Sequence, residues 1–349
     1  MLRTKSYLIA ALATYIFFSQ TLLSHADGPW QKMDIVNRQL DEVSGQFSNL
    51  QPNAEQEFSK KPPPSPSSVE LLKNLVTADI LETPHRKMAS NVKPRTHAVD
   101  MGYEIFYYRY QEPDIGVMIH GPMGGYFADY AYRPADPGFF NNFLTNVYML
   151  QARYASSRDL EYKGTGIVKN KHDDAMEFRG LIGKDYFIGT ELRVTPYFGF
   201  GYRYLKDRGN GQLSNANGYG YDRKSHYYYL PLGGDMAINM PDNWEIDLNA
   251  EYDIFIQGMQ KSFLSDGDQF TGYNNPDVTN RQDHGYGIRG SIKFIKRGTI
   301  LDFFVEPYIR FWNIDQSKIE TATVDGQFLY LAEPKNNTTE YGSRFGVQF

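Results

Sequence analysis

The sequence predicts an all-β fold: a closed antiparallel transmembrane β-barrel of about ten strands, preceded by a short helical segment. Three observations predict it. The first is composition. Tyr (27) and Phe (23) lift the aromatics to 15% of 349 residues, yet the mean hydropathy is -0.53. A polar average with so many large rings suits strands that are apolar on one face and polar on the other. The second is periodicity: from Ala98 onward the hydrophobic pattern has period two and keeps it. The third is the final stretch, EYGSRFGVQF. Tyr341, Phe345, Val347 and Phe349 alternate with Gly342, Arg344 and Gln348. Strand side chains alternate between faces, so this stretch has one apolar side up to its last residue. Chain ends usually fray; one that must sit in a sheet suggests a sheet that needs its last strand to close.

Composition also excludes. The net charge is -5 and there is no basic block, which argues against a nucleic-acid partner. With no Cys, disulfide frameworks, thiolate metal sites and a lipid-modified N-terminal Cys are excluded. No cofactor is expected.

The elements follow in chain order. MLRTK is a basic leader and YLIAALATYIFF an apolar run. Ser24 and Ala26 are small residues at -3 and -1 of a cleavage site before Asp27. Residues 1–26 therefore read as a signal peptide; the alternative, a retained anchor, suits the run less well because Ser19 and Gln20 break it. Residues 27–97 read as a periplasmic helical segment with a linker. Met33, Val36, Leu40, Val43, Phe47 and Leu50 follow 3-4 spacing, a heptad seam on a helix over 31–50. The Pro-rich KKPPPSPSS is an extended tether. The seam packs locally or oligomerises the chain; fewer than three heptads is marginal for a coiled coil alone.

Ten strands are predicted over 98–349: 98–111, 115–133, 142–157, 173–186, 191–206, 223–240, 243–262, 282–296, 300–316 and 339–349. WEIDLNAEYDIFI is the clearest, with Trp244, Ile246, Leu248, Ala250, Tyr252, Ile254 and Ile256 opposite Glu245, Asp247, Asn249, Glu251 and Asp253. Short turns (MPDNW, KRGT, KDYFIG) are expected to alternate strictly with long polar loops at 157–172, 207–222, 263–281 and 317–338. Short-long alternation, an even strand count and two-residue hydrophobic periodicity describe a transmembrane barrel. A soluble sandwich, whose apolar faces would meet each other, explains neither the alternation nor the terminal Phe.

In lipid every unpaired N–H or C=O is costly, so the last strand must pair with the first. The ending Tyr341, Phe345, Val347, Phe349, with Ser343 as the weak position, resembles the C-terminal signature of bacterial outer-membrane proteins. That resemblance implies recognition by the barrel-assembly machinery and residence in the outer membrane of a Gram-negative bacterium. It covers about 250 residues in architecture and names no subfamily. The strand count resembles omptin proteases and Opc-type adhesins at that level only. Expected partners are outer-membrane lipid and lipopolysaccharide, the assembly machinery, and a periplasmic partner or second copy engaged by the N-terminal helix.

Parity assigns the two faces. Tyr103, Tyr107, Tyr202, Tyr204, Tyr228, Trp244, Tyr286 and Tyr341 are candidates for the interfacial girdles. Glu104, Glu177, Asp247, Glu251, Asp253, Asp302, Glu306, Arg179, Arg203, Arg289, Lys293, Arg310 and Arg344 point inward. A ten-strand interior is about wide enough to be filled by side chains, so a paired network is expected, with Glu251 beside Arg289 and Glu306 beside Arg344. A narrow conducting lumen is the alternative. For catalysis, His120, His172, His226 and His284 lie near strand ends, with Asp173, Asp174 and Asp283 adjacent. A His–carboxylate pair is a general-base candidate, and omptins carry an acidic pair and an Asp-x-His at their rim. Here Asp283 and His284 are neighbours and face opposite ways. Asp266 and Asp268 read as solvated turn residues, and Gly121–Gly125 is no phosphate loop because no Lys-Ser/Thr or helix follows. The reading is a non-enzymatic barrel with a surface structural, binding or anchoring role.

Overall fold

The computed structural model describes residues 94–134, 145–268, 272, 274–324 and 327–349. The leader, the heptad seam and the Pro-rich tether lie outside them. In chain order the strands are β1 (His97–Glu112), β2 (Val117–Tyr132), β3 (Val147–Gly164), β4 (Gly166–Gly183), β5 (Tyr186–Ile188), β6 (Leu192–Arg208) and β7 (Arg223–Met240). Then come β8 (Trp244–Ser262), β9 (Val278–Gln282), β10 (Gly285–Lys296), β11 (Asp302–Ile314), β12 (Glu320–Val324), β13 (Gln327–Leu331) and β14 (Asn336–Gln348).

The ten long strands form one antiparallel ring, β1-β2-β3-β4-β6-β7-β8-β10-β11-β14. β14 closes it, hydrogen-bonded to β11 on one side and to β1 on the other, where Tyr103 faces Phe345 and Met101 faces Val347. β5 pairs with the start of β6 and β9 with the end of β8, and β12–β13 is a separate hairpin. A closed ring has no edge, so each spanning strand has a ladder on both sides.

The outer surface is apolar where a soluble protein's would not be. Tyr126 is 69% exposed, Leu150 62% and Phe303 61%; Tyr103, Ile105, Phe178, Phe198, Phe200, Leu232, Ile254, Ile288, Tyr341 and Phe345 are exposed with them. An unbroken belt of this kind is a lipid-facing surface. Inward positions are buried and mostly polar or aromatic.

Several expected boundaries are corrected. The 157–172 loop does not exist: β3 and β4 run through it and meet at Thr165, with Gly166 at φ +97° making the turn. Two register shifts between β3 and β4 absorb the irregular stretch near Ser157–Tyr162, and such bulges disguise a strand by breaking its alternation. Strict short-long alternation also fails early, because β1 and β2 are joined by only 113–116. It holds from β6 onward. There, Asp242 and Asn243, both at φ 61°, make the tight β7–β8 turn, a conformation Asp and Asn tolerate. The 317–338 loop contains the β12–β13 hairpin.

The β1–β14 seam is testable because the chain has no native Cys. Met101→Cys with Val347→Cys puts two thiols on directly paired residues, within disulfide reach. Oxidation of the refolded protein is expected to give one intramolecular cross-link, seen as a mobility change on a denaturing gel and reversed by reductant. Failure to cross-link would mean that the ring is open at this seam.

Candidate functional site

The barrel interior has three tiers. They are named from the end where β1 begins, the lower end.

The lowest tier is a cavity of about 200 Å³ lined by Asp100, Asp129, Arg193, Asp247, Lys293 and Arg344, and it reaches up to Arg153, Glu177 and Arg289 of the tier above. Its charges pair locally. Lys293 bonds Asp100. Arg344 lies 3.0 Å from Asp129 and 3.4 Å from Glu306, and Ser291 donates to Glu306 at 2.7 Å. Arg297 contacts Asp302 at 2.6 Å and reaches Glu245. Asp247 stands opposite Lys293 in register, but among the described residues it makes no salt bridge.

The middle tier crosses the lumen. Arg153 on β3 lies 3.0 Å from Glu104 on β1 and 2.7 Å from Glu340 on β14. Glu340 also receives Arg203 at 3.2 Å and Arg310 at 3.3 Å. β6, which carries Arg203, is five places from β14 around the ten-strand ring. The Arg203–Glu340 contact therefore joins opposite walls. Arg289 lies 2.9 Å from Glu251, 2.7 Å from Asp253 and 3.0 Å from Glu177, and Arg179 bonds Glu251. These charges are nearly all buried, which is tolerable only because each has opposite-charge partners.

The upper tier begins with aromatic and aliphatic side chains: Phe106, Tyr108, Tyr110, Ile119, Met123, Tyr227, Tyr229, Phe255 and Trp312 form one buried cluster. Trp312 and Tyr229 meet edge to face at 4.9 Å. Arg203 sits over Trp312 at 5.5 Å and Arg153 over Phe106 at 5.2 Å, so cation–π contacts tie this layer to the one below. Gly201 makes the room: a Cβ there would strike the Tyr229 ring. Above the rings, Lys171 bonds Asp173 and Asp207. Arg223 lies 2.5 Å from Glu112, across the ring on β1, and 3.4 Å from Glu333 in the segment before β14.

Arg153, Glu340 and the ring layer are not among the inward residues expected from parity, although Glu340 shares the parity of Arg344 on β14. The rings were hidden because β1 carries aromatics on both faces: Phe106, Tyr108 and Tyr110 turn inward while Tyr103 and Tyr107 turn outward. The inward parity of β11 also carries Phe304, Tyr308 and Trp312, and the alternation of Tyr308 and Trp312 with Glu306 and Arg310 was the signal available.

Three of the four rim histidines have polar partners among the described residues, and His120 also lies 3.8 Å from Glu161. His120 and His226 bond Tyr107 and Tyr202 hydroxyls, each at 2.8 Å. His172 lies 3.6 Å from Asp174, whose carboxylate is held by Arg208. Asp283 is taken by Arg281 at 2.7 Å and Lys318 at 2.6 Å, and His284 is exposed beside it. Asp266 holds the Asp222 backbone N–H at 2.9 Å and Asp268 holds that of Asn275 at 2.8 Å.

No family model matches the chain, and no curated protein matches it in sequence. Among solved structures it is similar to the outer membrane protease OmpT from Escherichia coli, at 10% identity and a TM-score of 0.44, over 74% of this chain and 99% of that one. It is also similar to the translocator domain of autotransporter NalP from Neisseria meningitidis, at 10% identity and a TM-score of 0.38, over 80% and 94%. A third is Neisserial surface protein A, at 9% identity and a TM-score of 0.28, over 73% and 96%. The chain is a closed ten-stranded barrel of the outer-membrane type. That statement rests on the ring of strand pairings and the apolar belt.

Two outcomes follow for the interior. Glu340→Gln leaves Arg153, Arg203 and Arg310 without their shared carboxylate, and the expected loss is about 3–5 kcal/mol. It is read as a lower urea midpoint for the unboiled, fast-migrating band in detergent, with Glu306→Gln at the cavity wall losing less. At the upper end, burial and the nearby Glu112 carboxylate push the Glu333 carboxyl up to about 7, against the pull of Arg223. A carboxyl freed from the rim ionises near its ordinary 4.5. Docking of segment 315–335 is therefore strongest below pH 4.5 and weakens as pH rises to about 7. Proteolysis of this segment in folded barrel should speed up over that window, and Glu333→Gln should flatten the dependence.

Proposed function

We propose that the chain is an integral outer-membrane protein of a Gram-negative bacterium that works by surface binding or envelope anchoring rather than by passage through its lumen. One observation carries the reading: ion pairs reach from wall to wall, Arg203 to Glu340 and Arg223 to Glu112, with a layer of packed rings between them. A solute would have to break both sets of buried pairs and displace the rings. The parts left free to act are the outer loops and the N-terminal segment.

On this reading residues 27–97 lie in the periplasm and the 209–222 connection and the described parts of the 263–284 and 315–335 connections face outward; from β6 onward this follows the rule that such barrels have short inner turns and longer outer loops, while the 113–116 and Thr165 turns depart from it. Against a rim hydrolase stands the engagement of Asp283 and Asp174 by arginine. A narrow channel is the second reading, favoured by the lower cavity of about 200 Å³.

Planar-bilayer recording separates the two. The full barrel is expected to stay silent over a wide voltage range. A variant with Trp312→Ala, Tyr229→Ala and Glu340→Ala, if it keeps its fast-migrating band, should show small conducting events. Steady conductance from the unaltered protein would overturn the closed-lumen reading.

A further inference from the structure

We infer that the outer wall of β6, β7 and β8 carries a docking site for the phosphorylated head group of an outer-leaflet lipid; this rests on the membrane placement proposed above. Lys206, Lys224 and Lys261 are direct neighbours across three strands: Lys206 pairs with Lys224, and Lys224 with Lys261. All three point outward. Like charges directly opposite each other on adjacent strands are destabilising, so three in a row are a cost that the fold bears locally. Two are partly answered, Lys206 by Asp222 at 3.7 Å and Lys261 by Asp277 at 3.3 Å; Asp174, held by Arg208, also stands opposite Lys206 in register on β4. Lys224 has no carboxylate partner among the described residues. Its ammonium lies 4.9 Å from the Phe263 ring centre, and that of Lys261 lies 4.5 Å from the same ring.

What stands beneath the row says what it would hold. One step down the same face are Tyr204 and His226, then Tyr202 and Tyr228. Their rings form a continuous patch: Tyr204 to His226 is 5.1 Å and Tyr202 to Tyr228 is 5.3 Å. Below them the wall is bare apolar surface, with Phe200, Leu230 and Leu232 exposed. An ammonium row above a ring patch above an acyl-facing wall matches one molecule in vertical order: phosphate, sugar or glycerol, chain. Lysines at a membrane surface attract phosphate-bearing lipids, and rings sit well at the level of the head groups. Elsewhere among the described residues the outward cations do not form such a row: on β1 a single Arg109 stands beside His120 above the Tyr107 and Tyr341 rings. On the outward parity of β11 and β14, above Phe311 and Tyr341, stand Asn313, Thr339 and Asn337. The row of three paired lysines stands in this one sector, which favours a docking surface over a general attraction to anionic membrane.

The test uses the full chain in phosphatidylcholine nanodiscs doped with bis-phosphorylated lipid A. After extraction into neutral detergent, lipid A retained per barrel is counted by native mass spectrometry. The unaltered protein is expected to retain it. The triple change Lys206→Gln, Lys224→Gln, Lys261→Gln should lower retention on the order of a hundredfold, as removal of three surface cations implies. Retention of dephosphorylated lipid A should be low for both proteins. Equal retention of lipid A by the triple variant overturns the site, and full displacement by inorganic phosphate overturns the lipid as its occupant. If the triple variant loses its fast-migrating band, Lys224→Gln alone is expected to cut retention about fivefold, and no change there also overturns the site. An unaltered protein with no heat-dependent mobility shift would instead refute the membrane placement.

Discussion

In hydrocarbon, a backbone N–H or C=O without a partner has no water to turn to. That single constraint shapes the rest of this barrel. It forces β14 to bond both β11 and β1, because an open seam would leave a row of such groups in lipid. Closure with ten strands then fixes the bore, and a bore of this size brings side chains from opposite walls into contact. What points inward has to fit what points inward from five strands away, not only from the next strand.

The interior meets that demand with two kinds of packing. Where charges face the lumen, carboxylates are shared: Glu340 serves three arginines and Arg289 serves three carboxylates. Sharing keeps each buried ion compensated as the walls converge. Where rings face the lumen, Trp312, Tyr229 and Phe106 fill volume, and the guanidinium groups of Arg203 and Arg153 lie on their faces. The two layers are therefore one packed body. Its coherence, rather than any single residue, closes the lumen.

Much of the fold was legible in the sequence because period two survives wherever one face meets lipid. WEIDLNAEYDIFI alternates without a break, and β8 follows it to Phe255. Legibility fails where the backbone slips. An extra residue in β8 near Ile256 shifts its register with β7 at Tyr228 and Tyr229, so Gly258 and Gln260 face inward while Ile256 and Met259 do not. The β3–β4 hairpin slips twice and reads as loop. Of the interior, parity gives the face but not the partner. Glu251 and Arg289 are adjacent in register, and a strand list suffices to place them side by side. Arg203 and Glu340 are 137 residues apart, and only the ring's circumference brings them together.

The distribution of cations follows the same geometry. The two buried lysines among the described residues, Lys171 and Lys293, stand at opposite ends of the bore, one above the ring layer and one at the lower cavity. Between them the cations are arginines. An ammonium is a compact, strongly hydrated point charge, suited to places that water reaches. A guanidinium is planar, less hydrated and able to hold carboxylates on two edges while stacking on a ring. Arg289 does all of this at once, between Glu177, Glu251 and Asp253 and over the Tyr229 ring at 5.6 Å. Lysine at that position would keep the charge but lose the bridge between walls. The choice of arginine in the dry middle of the bore is thus a consequence of closing ten strands around charges that cannot face lipid.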